Sequence, residues 1–146
     1  MAAEQYQLTV EQEPDPRDSS ALVRGLVSYN DSRAEPENYR PLAVFLRDAD
    51  GQIVGGVLGQ TNWGWLFISH VWLAEHLRGE GFGRQLLAAA EREAFARGCR
   101  HAHLDTFSFQ APDFYQQLGY EVFGVLDDYP AGHRRYYLRK RDLRPE

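Results

Sequence analysis

Three glycines alternate with other residues in the segment Arg78-Gly79-Glu80-Gly81-Phe82-Gly83, and Arg84 follows it directly. An apolar, strand-like run from Trp65 to Leu73 precedes this segment, and a helix-like run from Arg84 to Arg97 follows it. Because glycine has no Cβ, such a turn can direct successive N–H groups into one concavity. A helix N-terminus adds its dipole to the attraction for an anion. The segment therefore predicts a phosphate-binding loop between a strand and a helix.

His101, His103 and Asp105 form a second chemically suggestive pattern, because strand alternation places them on one face. Imidazole and carboxylate groups are common metal ligands. However, strand residues four apart lie ~13 Å from each other, so His101 and Asp105 cannot share one ion without a bend. We expect no metal site here.

The glycine segment lies within a chain whose patterns alternate between strands and helices. Tyr6 to Val10 alternates like a first strand, and a helix is predicted from Asp18 to Asp31. Three strands with hairpin turns between them follow, over Leu42–Leu46, Ile53–Leu58 and Trp65–Leu73, and they predict an antiparallel meander.

The elements predicted after the meander are the helix over Arg84–Arg97, a strand over Ala102–Phe107, a short helix over Asp113–Leu118 and two strands over Tyr120–Leu126 and Arg134–Leu138.

This order, β-α-β-β-β-α-β-α-β-β, predicts the α/β class. The expected architecture is a mixed, mostly antiparallel, twisted sheet flanked by helices. With 146 residues and no linker or repeat, residues 1–146 are expected to form one domain.

The composition limits the classes of partner. The net charge of -5 disfavours a nucleic-acid binder, which usually presents a basic face. The single Cys99 excludes an intramolecular disulfide, and no stretch resembles a signal peptide or a membrane span. We therefore expect a cytoplasmic protein without nucleic-acid or membrane partners, and the sequence leaves a homodimer open.

Two motifs resemble one family, the GNAT superfamily of acetyl-coenzyme A-dependent N-acetyltransferases. That family's cofactor signature reads Arg/Gln-x-x-Gly-x-Gly/Ala after a central strand, and Arg78 to Gly83 fits every fixed position. A second signature, an aromatic pair followed by a Leu-Gly-aromatic step, is matched by Phe114-Tyr115-Gln116-Gln117-Leu118-Gly119-Tyr120. The element order also agrees, so the resemblance covers almost the whole chain and implies the GNAT acyltransferase fold.

The resemblance implies acetyl-coenzyme A as a cosubstrate, with no metal. The strand end Val71-Trp72-Leu73 would bind the pantetheine arm, and an N–H near Leu73 would stabilise the oxyanion. Many relatives also use an asparagine before the aromatic pair. Here Ser108 or Gln110 stands in that region, and the sequence does not decide between them. The implied coenzyme-binding residues of the loop are Arg78, Gly79, Glu80, Gly81, Phe82, Gly83 and Arg84.

Tyr115 occupies the position at which many relatives protonate the departing thiolate. The glutamate that serves as general base in some relatives corresponds to Phe67, which cannot accept a proton. Asp105 is the first candidate for the base. His103, His70, Glu75 and a water molecule remain alternatives.

The resemblance thus implies an N-acetyltransferase in which an amine attacks the thioester directly in a ternary complex. A primary amine on a small molecule is the expected acceptor. A protein or peptide N-terminus and a non-catalytic acetyl-coenzyme A-binding module are the alternatives.

Overall fold

A computed structural model describes residues 5–145 of the chain. These residues contain three α-helices and six strands, labelled α1–α3 and β1–β6 in chain order. They are α1 (Pro16–Asp31), β1 (Arg40–Arg47), β2 (Ile53–Asn62), β3 (Trp65–Leu73), α2 (Phe82–Ala96), β4 (His101–Phe107), α3 (Pro112–Gln117), β5 (Glu121–Asp127) and β6 (Arg134–Lys140), with a short 3₁₀ helix at Glu75–Leu77.

Of the described residues, those up to Pro36 form one compact unit, and those from Glu37 onward form another. The first unit contains α1, whose N-terminus is capped by the Asp15 carboxylate accepting the Arg17 N–H. The prediction of a strand from Tyr6 to Val10 was wrong, because these residues join no ladder in the described chain. Alternating apolar residues form a strand only where a neighbouring strand satisfies their backbone groups. The single-domain assignment for residues 1–146 remains a prediction.

The second unit is built on a six-stranded sheet with the order β1-β2-β3-β4-β6-β5. The strands β1, β2 and β3 form the expected antiparallel meander, and β3 pairs with β4 in parallel. The strands β4, β6 and β5 complete the sheet through antiparallel pairs. The predicted α/β class and its mixed, mostly antiparallel sheet are therefore confirmed, with element ends shifted by a few residues.

The main core lies between α2 and one face of the sheet. Apolar residues at helical spacing on α2 (Leu86, Leu87, Ala90 and Ala94) pack against inward-facing strand residues such as Leu66 and Leu104. Cys99 follows α2 and is buried in the same core, where burial raises the pKa of its thiol. This packing fixes the N-terminus of α2 beside the end of β3.

Candidate active site

The sheet opens between β3 and β4. Their parallel pairing runs only from Trp65 with His101 to Ile68 with Leu104. Beyond that point β3 continues to Leu73 beside β2, while β4 continues to Phe107 beside β6. The two strand ends therefore separate and leave a gap whose walls carry backbone groups without strand partners.

The alternation of β3 determines which backbone groups face this gap. The N–H of Ala74 donates to the Val54 carbonyl on β2 at 2.8 Å. Because successive residues of a strand direct their backbone groups to opposite edges, those of Val71 and Leu73 point towards β4, whereas those of Trp72 point towards β2. The gap is thus lined by the N–H groups of Val71 and Leu73, two of the three residues expected to contact the pantetheine arm.

An irregularity in the β2–β3 ladder precedes the gap. Leu58 pairs with His70 and Gly59 pairs with Ile68, so Ser69 is an extra residue on β3. Its hydroxyl donates to the Leu58 carbonyl at 3.0 Å. A Cβ on Gly59 would lie 2.1 Å from the Phe67 carbonyl oxygen, so only glycine fits opposite this bulge. The bulge changes the direction of β3 at the point where it leaves β4.

The glycine loop connects the end of β3 to α2. Gly79 has φ +80° and Gly81 has φ +89°, conformations that favour glycine. Gly81 is the N-cap of α2, and no side chain caps this helix. Within residues 5–145, the backbone N–H groups from Gly79 to Arg84 have no hydrogen-bond acceptor. The loop therefore presents a run of free N–H donors at a helix N-terminus.

Arg78 and Gly83, the first and last residues of the glycine motif, make contacts that hold the loop in place. The Arg78 Nε donates to the Leu73 carbonyl at 3.1 Å, which ties the loop to the strand end. A Cβ on Gly83 would lie 3.1 Å from the Phe114 ring. Gly83 thus permits a close contact of α2 with α3, while nothing lies within 4 Å of the corresponding position at Gly79 or Gly81. Glu80 and Arg84 are exposed, and Phe82 is half-buried.

Tyr115 lies on α3, next to the Phe114 ring that contacts α2, with the two ring centroids 5.1 Å apart. Its side chain is 9% exposed, and burial raises the pKa of its hydroxyl to about 12. Within residues 5–145 the hydroxyl has no hydrogen-bond partner, but its oxygen is not completely buried. Tyr115 therefore offers a neutral hydroxyl at the edge of the core with its proton uncommitted.

Ser108 and Gln110, the two candidate substitutes for the asparagine, differ in the hydrogen bonds that they already form. The Ser108 hydroxyl accepts the Arg134 N–H at 3.1 Å and contacts His133 Nδ1 at 3.2 Å, so it is engaged with the β5–β6 loop. The Gln110 amide oxygen accepts from the Thr106 hydroxyl and the Phe107 N–H, and its amide NH₂ has no acceptor within residues 5–145. Gln110 alone retains a side-chain donor that is free for a ligand.

Asp105 lies on β4 beside the gap and forms an ion pair that the sequence did not reveal. Its Oδ1 accepts from Arg135 Nε at 3.0 Å and from Arg135 Nη2 at 2.8 Å. The Arg135 guanidinium also lies over the rings of Phe107, Tyr129 and Tyr137, at 4.9–5.3 Å from their centroids. Arg135 lies thirty residues from Asp105 in the chain. Only the β4–β6 register, which sequence alone does not provide, brings the two together.

His103 lies one pleat before Asp105, and the two share a face of β4. Its ring centroid is 4.8 Å from that of Phe67, the position at which some relatives carry their base. Burial lowers the pKa of His103, and the nearby Asp105 carboxylate partly opposes this shift. His103 is therefore neutral near pH 7 and can accept a proton.

The other candidate bases lie elsewhere around the gap. His70 is exposed, and its Nδ1 is 2.9 Å from the Ser69 hydroxyl at the bulge. Glu75 begins the 3₁₀ helix after β3 and is also exposed.

His101, the first residue of the His-x-His-x-Asp pattern, accepts the Asp142 N–H through Nδ1. Among residues 5–145, no group of three or more His, Cys, Asp or Glu side chains is arranged to hold a metal ion.

Comparisons with known proteins agree with this geometry. The model of the acetyltransferase (GNAT) family matches residues 3–120. An acetyltransferase of Agrobacterium fabrum, Atu2258, is 35% identical over 127 residues, covering 87% of this chain and 93% of that protein. Blasticidin-S acetyltransferase of Streptomyces morookaense is 39% identical over 107 residues, covering 69% of this chain and 77% of that protein.

A solved structure agrees as well. The 1.9 Å crystal structure of an acetyltransferase from Bacillus cereus superposes with a TM-score of 0.82 at 32% identity, covering 91% of this chain and 97% of that one. Among the described residues, no helix has the length and apolar character needed to cross a membrane. The family match, the relatives and the opened sheet lead to one conclusion: the chain belongs to the GNAT family of acetyltransferases, which use acetyl-coenzyme A as cosubstrate, and it is an acyltransferase enzyme.

Proposed function

We propose that this enzyme transfers the acetyl group of acetyl-coenzyme A to a primary amine of a small molecule, by direct attack within a ternary complex. The observation that carries the proposal is the gap between β3 and β4. The free N–H groups of Val71 and Leu73 line it, and the free amides of the glycine loop adjoin it. These two sets of donors suit the two polar parts of one ligand, a thioester with its pantetheine arm and a pyrophosphate.

The pyrophosphate binds to the amides from Gly79 to Arg84, where the dipole of α2 adds to their attraction. The pantetheine arm lies along Val71 and Leu73, and the Gln110 amide NH₂ supplies a further donor. As the amine attacks, the thioester oxygen gains negative charge, which an N–H of the β3 end stabilises. These groups are preorganised, because α2 and the bulge fix them before a ligand arrives.

Tyr115 is the proton donor for the departing thiolate. Its hydroxyl remains protonated at physiological pH, because burial raises its pKa to about 12. Since no acceptor within residues 5–145 holds this proton, the hydroxyl is available to the sulfur. The free hydroxyl also argues against a non-catalytic binding module.

We propose His103 as the proton acceptor, assisted by Asp105. The Asp105 carboxylate is already engaged by Arg135, whose Nε and Nη2 both donate to Oδ1. His103 is neutral near pH 7, and the Asp105 charge stabilises the imidazolium that forms when a proton arrives. His103 therefore accepts the proton, and Asp105, on the same face of β4, stabilises the resulting positive charge.

Support for a small-molecule acceptor comes from the similarity to blasticidin-S acetyltransferase, whose name states a small-molecule substrate. The alternative is a protein or peptide N-terminus. N-alpha-acetyltransferase 80 of Mus musculus is 44% identical, but only over 57 residues that cover 18% of that protein. The longer match favours the small molecule.

The test is a screen of amines with acetyl-coenzyme A, in which release of the free coenzyme A thiol is measured. The panel contains nucleoside amines, polyamines, aminoglycosides and short peptides with free N-termini. We expect turnover with a small-molecule amine above the hydrolysis background. Turnover with peptides alone would replace the proposed acceptor, and binding without turnover of any amine would contradict the proposed reaction.

A further inference from the structure

Four aromatic rings gather at the end of β4, beside the gap that separates β3 from β4. Phe107 is the last residue of β4, and its ring stacks on that of Phe109, with the centroids 5.4 Å apart and the planes 12° from parallel. The Tyr129 ring lies 5.6 Å from that of Phe107, and the His133 ring lies 5.1 Å from that of Phe109. These four residues form an aromatic wall that the acetyl transfer described above does not use.

Hydrogen bonds fix the backbone that carries Phe109. The Gln110 amide oxygen accepts the Phe107 N–H at 2.9 Å, which closes the turn after β4. The Ser108 N–H donates to the Arg134 carbonyl at 2.8 Å, and the Arg134 N–H donates to the Ser108 hydroxyl, so the turn is joined to the start of β6. Phe109 is nevertheless 57% exposed. A ligand that covers this fixed ring removes apolar surface from water without having to order the turn first.

The two arginines behind the aromatic wall are both paired. Arg135, whose guanidinium lies over the Phe107 ring, pairs with Asp105 at 2.8 Å. Arg134 pairs with Asp127 at 3.0 Å. The wall therefore offers ring surface rather than a site for an anion, and a flat ring is the group that packs best against it.

The aromatic wall stands on the face of the sheet that carries the proposed base. The buried residues of β4 face the core beneath α2 and alternate with His103, Asp105 and Phe107, which therefore lie on the opposite face. His103 and Phe107 are four residues apart, ~13 Å along a strand. An amine at His103 and a ring at the wall must therefore be joined by a chain of several bonds.

We propose that the aromatic wall binds a planar ring of the acceptor, so that the enzyme prefers amines joined to an aromatic or heteroaromatic ring through a flexible chain. The ring packs on the exposed surface of Phe109 while the amine lies near His103. Phe109 is thus a residue that determines specificity. The inference rests on the proposed function and names the class of acceptor for it.

The experiment measures kcat/KM for pairs of amines that differ only in the ring, phenylalkylamines and cyclohexylalkylamines with the same chain, over a series of chain lengths. Release of the coenzyme A thiol from acetyl-coenzyme A is the readout. Contacts between aromatic rings should favour the phenyl member by about 2- to 10-fold beyond the effect of buried area. This preference should appear once the chain is long enough to reach from His103 to the wall.

Phe109→Leu keeps an apolar side chain but removes the ring, so it should lower kcat/KM for the phenyl members more than for the cyclohexyl members and abolish the preference. Phe109→Tyr restores a ring and should keep it. Phe123→Leu is the matched control, because Phe123 is 51% exposed on β5, at the edge of the sheet beyond β6. The preference should stay intact in this variant.

Equal kcat/KM for both members of every pair, or turnover of other amines but of neither series, would overturn the assignment of the wall while leaving the proposed function in place. A preference that survives in Phe109→Leu, or that is lost equally in Phe123→Leu, would also overturn it. Failure to acetylate any amine, in these series and in the earlier panel, would instead refute the proposed acetyl transfer.

Discussion

At the scale of single residues, Tyr115 is the most informative side chain of the site. We predict that Tyr115→Phe lowers kcat by about 10- to 1,000-fold, in or below the usual range for general acid catalysis, because a thiolate is already a good leaving group. Affinity for acetyl-coenzyme A should stay near the parent value, since the proton donor acts in the transition state. The measurements are kcat with an established acceptor and the dissociation constant of the cosubstrate.

Phe114→Leu is the control for this prediction. Phe114 packs against Gly83 and Tyr115, so its truncation should lower the melting temperature more than it lowers kcat. A Tyr115→Phe enzyme that turns over at the parent rate, with chemistry limiting the parent, would make Tyr115 a packing residue only.

The neighbouring strand provides a prediction on pH. If His103 accepts the proton, kcat/KM falls as the pH drops through the His103 pKa, because the imidazolium cannot accept one. Burial places this pKa below the usual value of about 6.5. His103→Gln should lower kcat/KM at pH 7 by about 100-fold or more and abolish this acidic limb.

Asp105→Asn tests the same pair from the other side. Its carboxylate raises the His103 pKa, so its removal should move the acidic limb to lower pH. The pH profiles of kcat/KM for the parent and both variants are the measurement. An unchanged acidic limb in His103→Gln would return the role of base to Asp105, His70, Glu75 or water.

At the scale of elements, substitutions in the glycine loop can distinguish loss of ligand binding from loss of stability. We predict that Gly81→Asp weakens coenzyme A binding by more than about 100-fold, because it places a carboxylate among amides that bind pyrophosphate. The fold should survive, since nothing lies within 4 Å of the new Cβ and aspartate tolerates a positive φ better than most residues. Calorimetric titration with coenzyme A measures the effect.

Gly83→Ala is the matched variant within the same loop. Its Cβ would press against the Phe114 ring, so we expect a lower melting temperature with a smaller loss of affinity than in Gly81→Asp. Parent-like affinity in a folded Gly81→Asp protein would contradict the assignment of this loop to the pyrophosphate.

At the scale of the whole molecule, the net charge of -5 favours cationic acceptors through electrostatic steering. We predict that kcat/KM for a cationic amine falls as the salt concentration rises from about 50 to 500 mM, since salt screens this attraction. An uncharged amine of similar size is the control and should be less affected. An equal dependence of kcat/KM on salt for both amines would contradict electrostatic steering of the cationic acceptor.

Sequence reasoning predicted most of this fold because its signals are local. Alternation marked the strands of the second unit, and the glycines at 79, 81 and 83 marked the strand–helix junction. It failed at Tyr6 to Val10, where alternation was present but no ladder forms in the described chain. It also missed the Asp105–Arg135 pair and the aromatic wall, because both depend on which distant segments become neighbours.

The position of Cys99 has a practical consequence for every kinetic test above. It is the only cysteine of the chain, it is 3% exposed, and its thiol is less acidic than usual. A thiol-reactive chromogenic reagent depends on accessible thiolate, so the folded enzyme contributes almost no background colour. The acetyl transfer can therefore be followed continuously through the coenzyme A thiol alone, and slow labelling of Cys99 in the same cuvette would report unfolding of the enzyme.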